Sequence, residues 1–576
     1  MTLSWRSAGP LAYRSVSSPG VILCYNLVKL HSPAINNSGG LSFAYNHQVR
    51  EHHAMVQIPR LFTALLFTLA STGILAAGQA AHVVVVVWDG MRPDFVTEES
   101  TPNLMRFARR GVTFKKHHAA YISTTEVNGT VLATGVYPAE SGIVGNKEFR
   151  PAINASNRVL TEELEVVRKG DELTGGRYVG FPTAAEILHR QGLRTVIAGA
   201  KGVVLLHDRA ARLGGSLGIN LFAGEVLPEA QAEGIARAVG KFPEEGLTGM
   251  DRDLWTTRAL TGPLWAKGVP PFSLLWLSEP DQSQHETGPG SPASIAAIRH
   301  SDDALGRVLA ALNQQGLGAE TDVIVVSDHG FSTINQNAGV AERLNMNGFR
   351  AYRKLPESGA REGDIMIVGN GGSVFLYIMG HRASDVERVV HFLQSQAFCG
   401  VVLTQLPVEG AFRLHDVRMD SSQAPDIVLS LRWKPDQSTN GTLGLVYSDY
   451  SQYGPGQGIH GSLSPFDMHN VCFAAGPDFR KGLQDDLPTG NTDIVPTVLW
   501  LLGANPEQRP SGRVLVEALI QAGDGRPPCE VRQFEANYRG EGFAWHQYLK
   551  YSQVSGVLYF DEGNGEQAGN KDIGGN

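Results

Sequence analysis

Five consecutive valines, Val83–Val87, run through Trp88 straight into Asp89 and Gly90. β-Branched residues without polar alternation suit a strand buried on both faces, as in a parallel sheet covered by helices. No other stretch of the chain restricts the fold so strongly. In open sheets of this kind ligands bind beyond the carboxyl ends of the strands. Asp89 falls there, and Gly90 lets the chain turn away. Two readings of Asp89 stand at this point: a cap for the next element, or a catalytic or metal ligand.

The surrounding pattern extends the first inference. His82–Trp88 reads as a strand, and Thr101–Gly111 as a helix with Leu104, Phe107 and Ala108 at helical spacing. TAAEILHRQGLRTVIAGA gives a helix ending near Gly192 and a strand at Thr195–Ala198, while FSLLWLSEPD and DVIVVSDHG are further buried strands running into acidic residues. SPASIAAIRHSDDALGRVLAALNQQG is a long amphipathic helix opened by Ser291 and Pro292. Alternation of this sort predicts a doubly wound α/β fold with a largely parallel sheet and helices on both faces. Residues 341–446 break the alternation with short strands and one helix, and read as an inserted α+β cap within a catalytic domain spanning 81–523. Residues 524–576 end in DEGNGEQAGNKDIGGN, a polar, glycine-rich run expected to be an appendage with a disordered tail.

Met55 opens MVQIPRLFTALLFTLASTGILAAGQA, with a basic Arg60, an apolar stretch from Leu61 to Leu75, and small residues Gly78 and Ala80 before a cut after Ala80. That is a secretory signal pattern over 55–80, and it predicts a secreted or periplasmic protein. The apolar run is short for a bilayer span, so no stable span is expected after cleavage; anchoring by the same segment is the alternative. Residues 1–54 lack periodicity and read as a mis-called or non-structural extension. A net charge of −8 with no dense basic run gives no surface for nucleic acid. Cys24, Cys399, Cys472 and Cys529 form no CxxC pair, which argues against a thiolate zinc site. In an exported chain one disulfide among Cys399, Cys472 and Cys529 is open.

Strand ends and one glycine-rich loop, GQGIHGSLSP, offer Asp89, Asp281, His285, Asp328, His329 and His460. Carboxylate and imidazole are the usual non-thiolate ligands of zinc. Each residue alone also reads as a cap, a surface loop or a turn. Thr124 and Thr125 precede a helical segment, Glu126–Ala133, where a hydroxyl either caps the helix or meets a phosphate at its free N–H groups.

TPNLMRFARRGV, ATGVYPAESGIVGN, EPDQSQHETGP, SDHGF and GIHG, in this order, resemble the alkaline phosphatase superfamily, closest to its nucleotide pyrophosphatase/phosphodiesterase branch, over His82 to Gly503. The resemblance implies a nucleophile at Thr125 and an asparagine, Asn146, holding a phosphoryl oxygen. It implies two zinc ions, or other divalent metals: one on Asp281, His285 and His460, the other on Asp89, Asp328 and His329 with the Thr125 oxygen. The implied reaction is hydrolysis of a small-molecule phosphodiester or nucleotide pyrophosphate through a phospho-threonine.

This sequence departs from the branch in three places. Asn128-Gly129 stands where an Asn-His pair is usual, Ser141 where a histidine is usual, and Glu126 beside the nucleophile where an apolar residue is common. Lys201 falls near the phosphate-binding lysine of monoesterases in the superfamily, but Val203 stands where their arginine would be. A phosphomonoesterase using Lys201 as a substrate contact is therefore the alternative, and a non-catalytic, metal-containing surface-binding protein a further one.

Overall fold

The valine run forms β1, His82–Trp88, at the centre of the large sheet. In the computed structural model, which describes residues 78–243, 248–449, 452–523 and 525–569, β1 is followed by helix α1 (Pro102–Ala108) and β2 (Val112–His118). Helix α2 (Thr125–Thr134) comes next, then α3 (Ala184–Arg190), opened by a capping box between Thr183 and Glu186. β3 (Thr195–Gly199), β4 (Gly218–Phe222), β5 (Glu225–Leu227) and β6 (Phe272–Leu277) complete one side of the sheet. Helices α4 (Asp281–Thr287) and α5 (Pro292–Gln314) lead to β7 (Thr321–Val326). β8 (His469–Asn470), β9 (Cys472–Ala475) and β10 (Leu483–Gly490) close the other side. The strand order is β8-β2-β9-β7-β1-β6-β3-β4-β5, with β10 beside β2.

The central strands β7, β1, β6, β3 and β4 are parallel, with Val85 opposite both Leu274 and Ile324. Alternate β1 valines enter two separate cores: Val83, Val85 and Val87 on one face, Val84 and Val86 on the other. Helices cover both faces, which is why no valine of the run needed a polar neighbour. Because β7, β1 and β6 lie side by side and parallel, their carboxyl ends share one edge. Gly90, at φ 72°, turns the chain off β1 there, where a Cβ would press on Phe331 and Asp281.

Residues 350–431 build a second, six-stranded mixed sheet, with strands such as Ser373–Ile378 and Cys399–Thr404, packed on one face by helix Ala383–Gln394. Its other face, through Phe375, Val401 and Leu403, packs against Tyr121, Ile122 and Val127, so it supports the turn that carries Thr125.

The C-terminal segment corrects the expectation of a disordered tail over its described part. Cys529–Gly540 (β11), Phe543–Val554 (β12) and Val557–Gly569 (β13) form an antiparallel meander docked on the second sheet; residues 570–576 lie outside the described residues. The glycines have a packing reason rather than a linker's. A Cβ on Gly565 would stand 2.1 Å from the Gly400 carbonyl, so only glycine admits this approach. The buried Gln547 accepts from Val402 N and donates to Val402 O, and Trp433 donates to Gly563 O. Phe560 is 1% exposed in the same core. Phe560→Ala is expected to cost about 3–5 kcal/mol, the usual range for a buried aromatic, measured by equilibrium denaturation of the whole chain.

Cys399, Cys472 and Cys529 are free thiols, each opening a strand of a different sheet, so the disulfide left open by the sequence is not formed. Among the described residues no helix is long and apolar enough to cross a membrane. The extension expected at 1–54 and the signal segment up to residue 77 lie outside the described residues. Gly78 to Ala80 are described, and the N–H groups of Gln79 and Ala80 donate to the Asp478 carboxylate.

Candidate active site

The shared edge of β7, β1 and β6 collects the acidic residues that each strand runs into. Asp89 follows β1 directly, Asp328 and His329 follow β7, and Asp281 opens α4 after β6. His285 lies one helical turn beyond Asp281, on the same face of α4. His460 arrives on the loop after the short strand Gly458–Ile459, which pairs with Ser332–Thr333 just beyond His329.

These six residues form two groups. Asp281 Oδ1 stands 3.4 Å from His285 Nε2 and 3.5 Å from His460 Nε2. His329 Nε2 stands 3.5 Å from Asp89 Oδ1 and 3.2 Å from Asp328 Oδ2. The His329 and His460 rings stack with centroids 3.7 Å apart, which joins the groups. Thr125, the first residue of α2, places Oγ1 3.3 Å from His329 Nε2.

The donor chemistry calls for cations. Each imidazole donates its Nδ1–H to a backbone carbonyl: His285 to Gly458, His460 to Ser123, His329 to Gly330, all at 2.9 Å. That fixes the tautomer and leaves a lone pair on each inward Nε2. The carboxylate oxygens turned toward them, Asp89 Oδ1, Asp281 Oδ1 and Asp328 Oδ2, are buried and have no hydrogen-bond partner. Three carboxyl oxygens and three imidazole nitrogens with no hydrogen-bond donor among their own groups thus converge, and N/O sets of this kind suit zinc. Burial and the Asp328 charge push Asp89 well up, burial pushes Asp328 to about 7, and burial holds His460 well below the imidazole range.

The outer oxygens are satisfied by groups the sequence did not single out in this role. Trp276 Nε1 donates to Asp89 Oδ2 at 2.8 Å. Gly90 N and His329 N donate to Asp328 Oδ1. Lys201 Nζ bridges Asp281 Oδ2 at 2.6 Å and Asp89 Oδ2 at 2.9 Å. Lys201 therefore belongs to the outer shell of both groups, and its bridging ammonium offsets the burial that would otherwise raise Asp281, holding it well below the usual range. Asn491 Nδ2 donates to the Asp328 carbonyl and to Asn128 Oδ1. Asn128, at the departure from the usual Asn-His pair, also bonds both backbone groups of Ala120 and so shapes the turn before α2.

Asn146 Oδ1 accepts from Glu126 N at 3.1 Å, which orients its amide beside Thr125 at the start of α2. Two cavities meet around these residues. One of about 290 Å³ is lined by Thr125, Lys201, Arg252 and Asp281, the other of about 190 Å³ by Thr124, Lys147 and Tyr453; Glu126, Asn146, Glu162, His285 and His460 border both. Burial raises Glu126 and Glu162 above the usual carboxyl range. Tyr453 stacks on His285 at 4.7 Å.

The model of the type I phosphodiesterase/nucleotide pyrophosphatase family matches residues 83–435. This chain belongs to that family. It is a phosphoric ester hydrolase of a metal-dependent family, with an alkaline phosphatase-like α/β fold. Human ectonucleotide pyrophosphatase/phosphodiesterase family member 7 is 24% identical over 486 residues, 81% of this chain and 91% of the relative. Rat family member 1 is 25% identical over 421 residues, 73% of this chain but 40% of that longer relative. A structure of human ectonucleotide pyrophosphatase/phosphodiesterase 5 superposes with a TM-score of 0.52 at 18% identity, covering 74% of this chain and 96% of its own. A mouse counterpart, an inactive threonine-to-alanine form in complex with AMP, gives 0.51 at the same identity and the same coverage.

Proposed function

We propose that this family member is an exported two-zinc hydrolase that cleaves phosphodiester or nucleotide pyrophosphate bonds of small molecules through a phospho-threonine at Thr125. The observation that carries the reading is the convergence of the unpartnered oxygens of Asp89, Asp281 and Asp328 on three inward imidazole nitrogens, with the Thr125 hydroxyl within 3.3 Å of one of them. The residues fit a pair of cations: Asp281, His285 and His460 would hold one, Asp89, Asp328 and His329 the other. When bound, two divalent cations would supply Lewis-acid neutralisation of phosphoryl oxygens and a lowered pKa for the nearby hydroxyl.

The chain's own groups do the rest. Thr125 Oγ1 gives up its proton to solvent and forms a bond to phosphorus as the opposite P–O bond breaks; the electron pair leaves on the departing oxygen, which takes up a proton. Water then attacks the phospho-threonine and gives up a proton as the bond to Oγ1 breaks, and Oγ1 takes up a proton to restore the hydroxyl. The Asn146 amide, held by Glu126 N, donates to an equatorial oxygen as charge develops. The two cavities favour a diester, which must seat an organic group on each side of phosphorus. The names of the human and rat relatives support the same class, and AMP in the mouse relative supports a nucleotide as the organic part. Export rests on the signal pattern of residues 55–80.

The monoesterase alternative needs Lys201 as a direct phosphate contact, whereas its ammonium is already held by Asp89 and Asp281. The two readings separate on chromogenic mono- and diesters assayed side by side with wild type and Lys201→Met. An outer-shell lysine predicts diester preference in wild type and a loss of about 10–100-fold on both substrates in the variant. A wild-type preference for the monoester, with a loss confined to it, would hand the assignment to the alternative. A non-catalytic metal-containing surface protein would turn over neither substrate.

A further inference from the structure

His118, His469 and Asp561 form a further convergence of imidazoles and a carboxylate, separate from the two groups described above, where β2 meets β8 at the edge of the large sheet. His118 ends β2 and lies directly opposite His469 of β8 in the antiparallel register. Their rings stand 4.4 Å apart, tilted by 56°. Asp561 comes from the docked C-terminal sheet. There β12 and β13 change register, Lys550 pairing with Glu562 and Tyr551 with Phe560, so Asp561 is the extra residue of a bulge. Bulges re-aim a side chain, and this one turns Asp561 onto the edge of the large sheet.

The donor logic of the candidate active site recurs here. His118 Nδ1 lies 2.9 Å from the Thr489 carbonyl, an acceptor only, so this nitrogen carries the proton. In the neutral ring Nε2 then presents a lone pair, and it faces Asp561 Oδ1 at 3.0 Å. Two lone pairs at that separation, at a ring 1% exposed, need a positive charge between them. A second proton on His118 would meet that need, with His469 then bonded to the Asp561 backbone alone. A metal cation engages all three: one ligand atom from each residue lies within 4.8 Å of the others, a spread that a cation about 2.1 Å from each closes with small side-chain shifts. Ser552 Oγ donates to Asp561 Oδ2 at 3.0 Å and so orients the carboxylate, as outer partners of metal ligands do.

We propose that His118, His469 and Asp561 bind a third divalent transition-metal ion, a structural one that pins the C-terminal sheet to the edge of the large sheet. Two imidazoles and one carboxylate form a set suited to zinc or iron(II), with water completing the shell. The ion joins segments more than three hundred residues apart in the chain. It touches none of the residues assigned to catalysis, so the proposal stands or falls apart from the functional reading.

The test is metal stoichiometry on the full chain saturated with zinc and then desalted. Asp561→Asn and His469→Gln are each expected to hold one equivalent fewer than wild type, with diester turnover retained. His469 is partly exposed, so its variant serves if Asp561→Asn fails to fold. Anomalous diffraction at the zinc edge on wild-type crystals gives a readout that needs no variant. A peak between the three side chains supports the proposal. Equal metal counts in wild type and variants, or no anomalous peak there, would overturn it and leave a protonated His118 as the link.

Discussion

Thr125→Ala is expected to lower diester hydrolysis roughly 10⁴-fold or more, the scale seen when a covalent nucleophile is removed, while the bound metal stays in place. The expectation rests on position. Thr125 is the first residue of α2, 4% exposed, with its hydroxyl facing the inward nitrogen of His329. No other hydroxyl hydrogen-bonds to the six converging side chains on their inner side among the described residues. Thr124 Oγ1, the nearest in sequence, is buried without a hydrogen-bond partner. Deleting one hydroxyl leaves the carboxylates, the imidazoles and their outer partners intact, so metal content and melting temperature should hardly change. Thr125→Ser keeps an oxygen at this place and should retain much of the rate. Mass spectrometry of acid-quenched wild-type enzyme should find a phosphoryl adduct on the peptide carrying Thr125, absent from the alanine form. Full turnover by the alanine variant would remove Thr125 from the mechanism.

The parts of this site that could be read in advance were those tied to strand ends. A strand buried on both faces has no polar position of its own, so the first acidic residue after it marks the sheet edge. That reasoning located Asp89 after the valines and Asp328 after DVIVV. It also holds for Asp281, although the chain runs on from Leu277 before reaching it. Asn146 was legible only through the motif order; His460 in its glycine-rich loop and Thr125 before a helical segment could be noticed as residues, but none of the three sits at a strand end of the large sheet, and the motif order gave Thr125 its role as nucleophile. Trp276 escaped notice because it looks like one more core residue of β6. Its partner register with Val87, two residues before Asp89, is what aims the indole N–H at that carboxylate. For Lys201 the sequence offered a phosphate as partner, and the structure adds two aspartates from different strands that no local pattern announced. The C-terminal sheet was misread because glycine and polar residues ordinarily mark loops. Here Gly565 and Gly563 lie where β13 crosses close to other backbone, and the apolar residues that anchor the sheet alternate with polar ones. Composition averages over that alternation and hides it.

Stripping the bound metal with a strong chelator is expected to abolish turnover and to lower the melting temperature, and zinc should restore both. Asp89 and Asp328 are fully buried and Asp281 nearly so, and the oxygens each turns inward have no donor. Without cations these oxygens repel one another, and Lys201 reaches only the outer oxygens of Asp89 and Asp281. A ligand that binds the folded chain alone stabilises it by about 4 kcal/mol at a thousandfold excess over its Kd, so two occupied sites give a shift that calorimetry resolves easily. The loss of rate has the same origin. An empty site lacks the positive charge that accepts the phosphoryl oxygens, and its unpaired carboxylates turn an anionic substrate away. Titrating zinc back should restore activity in step with the second equivalent bound at the active site, since nucleophile and leaving oxygen each need a neighbouring cation. Activity at full strength in metal-free enzyme, or recovery complete with a single active-site equivalent, would contradict the two-cation arrangement.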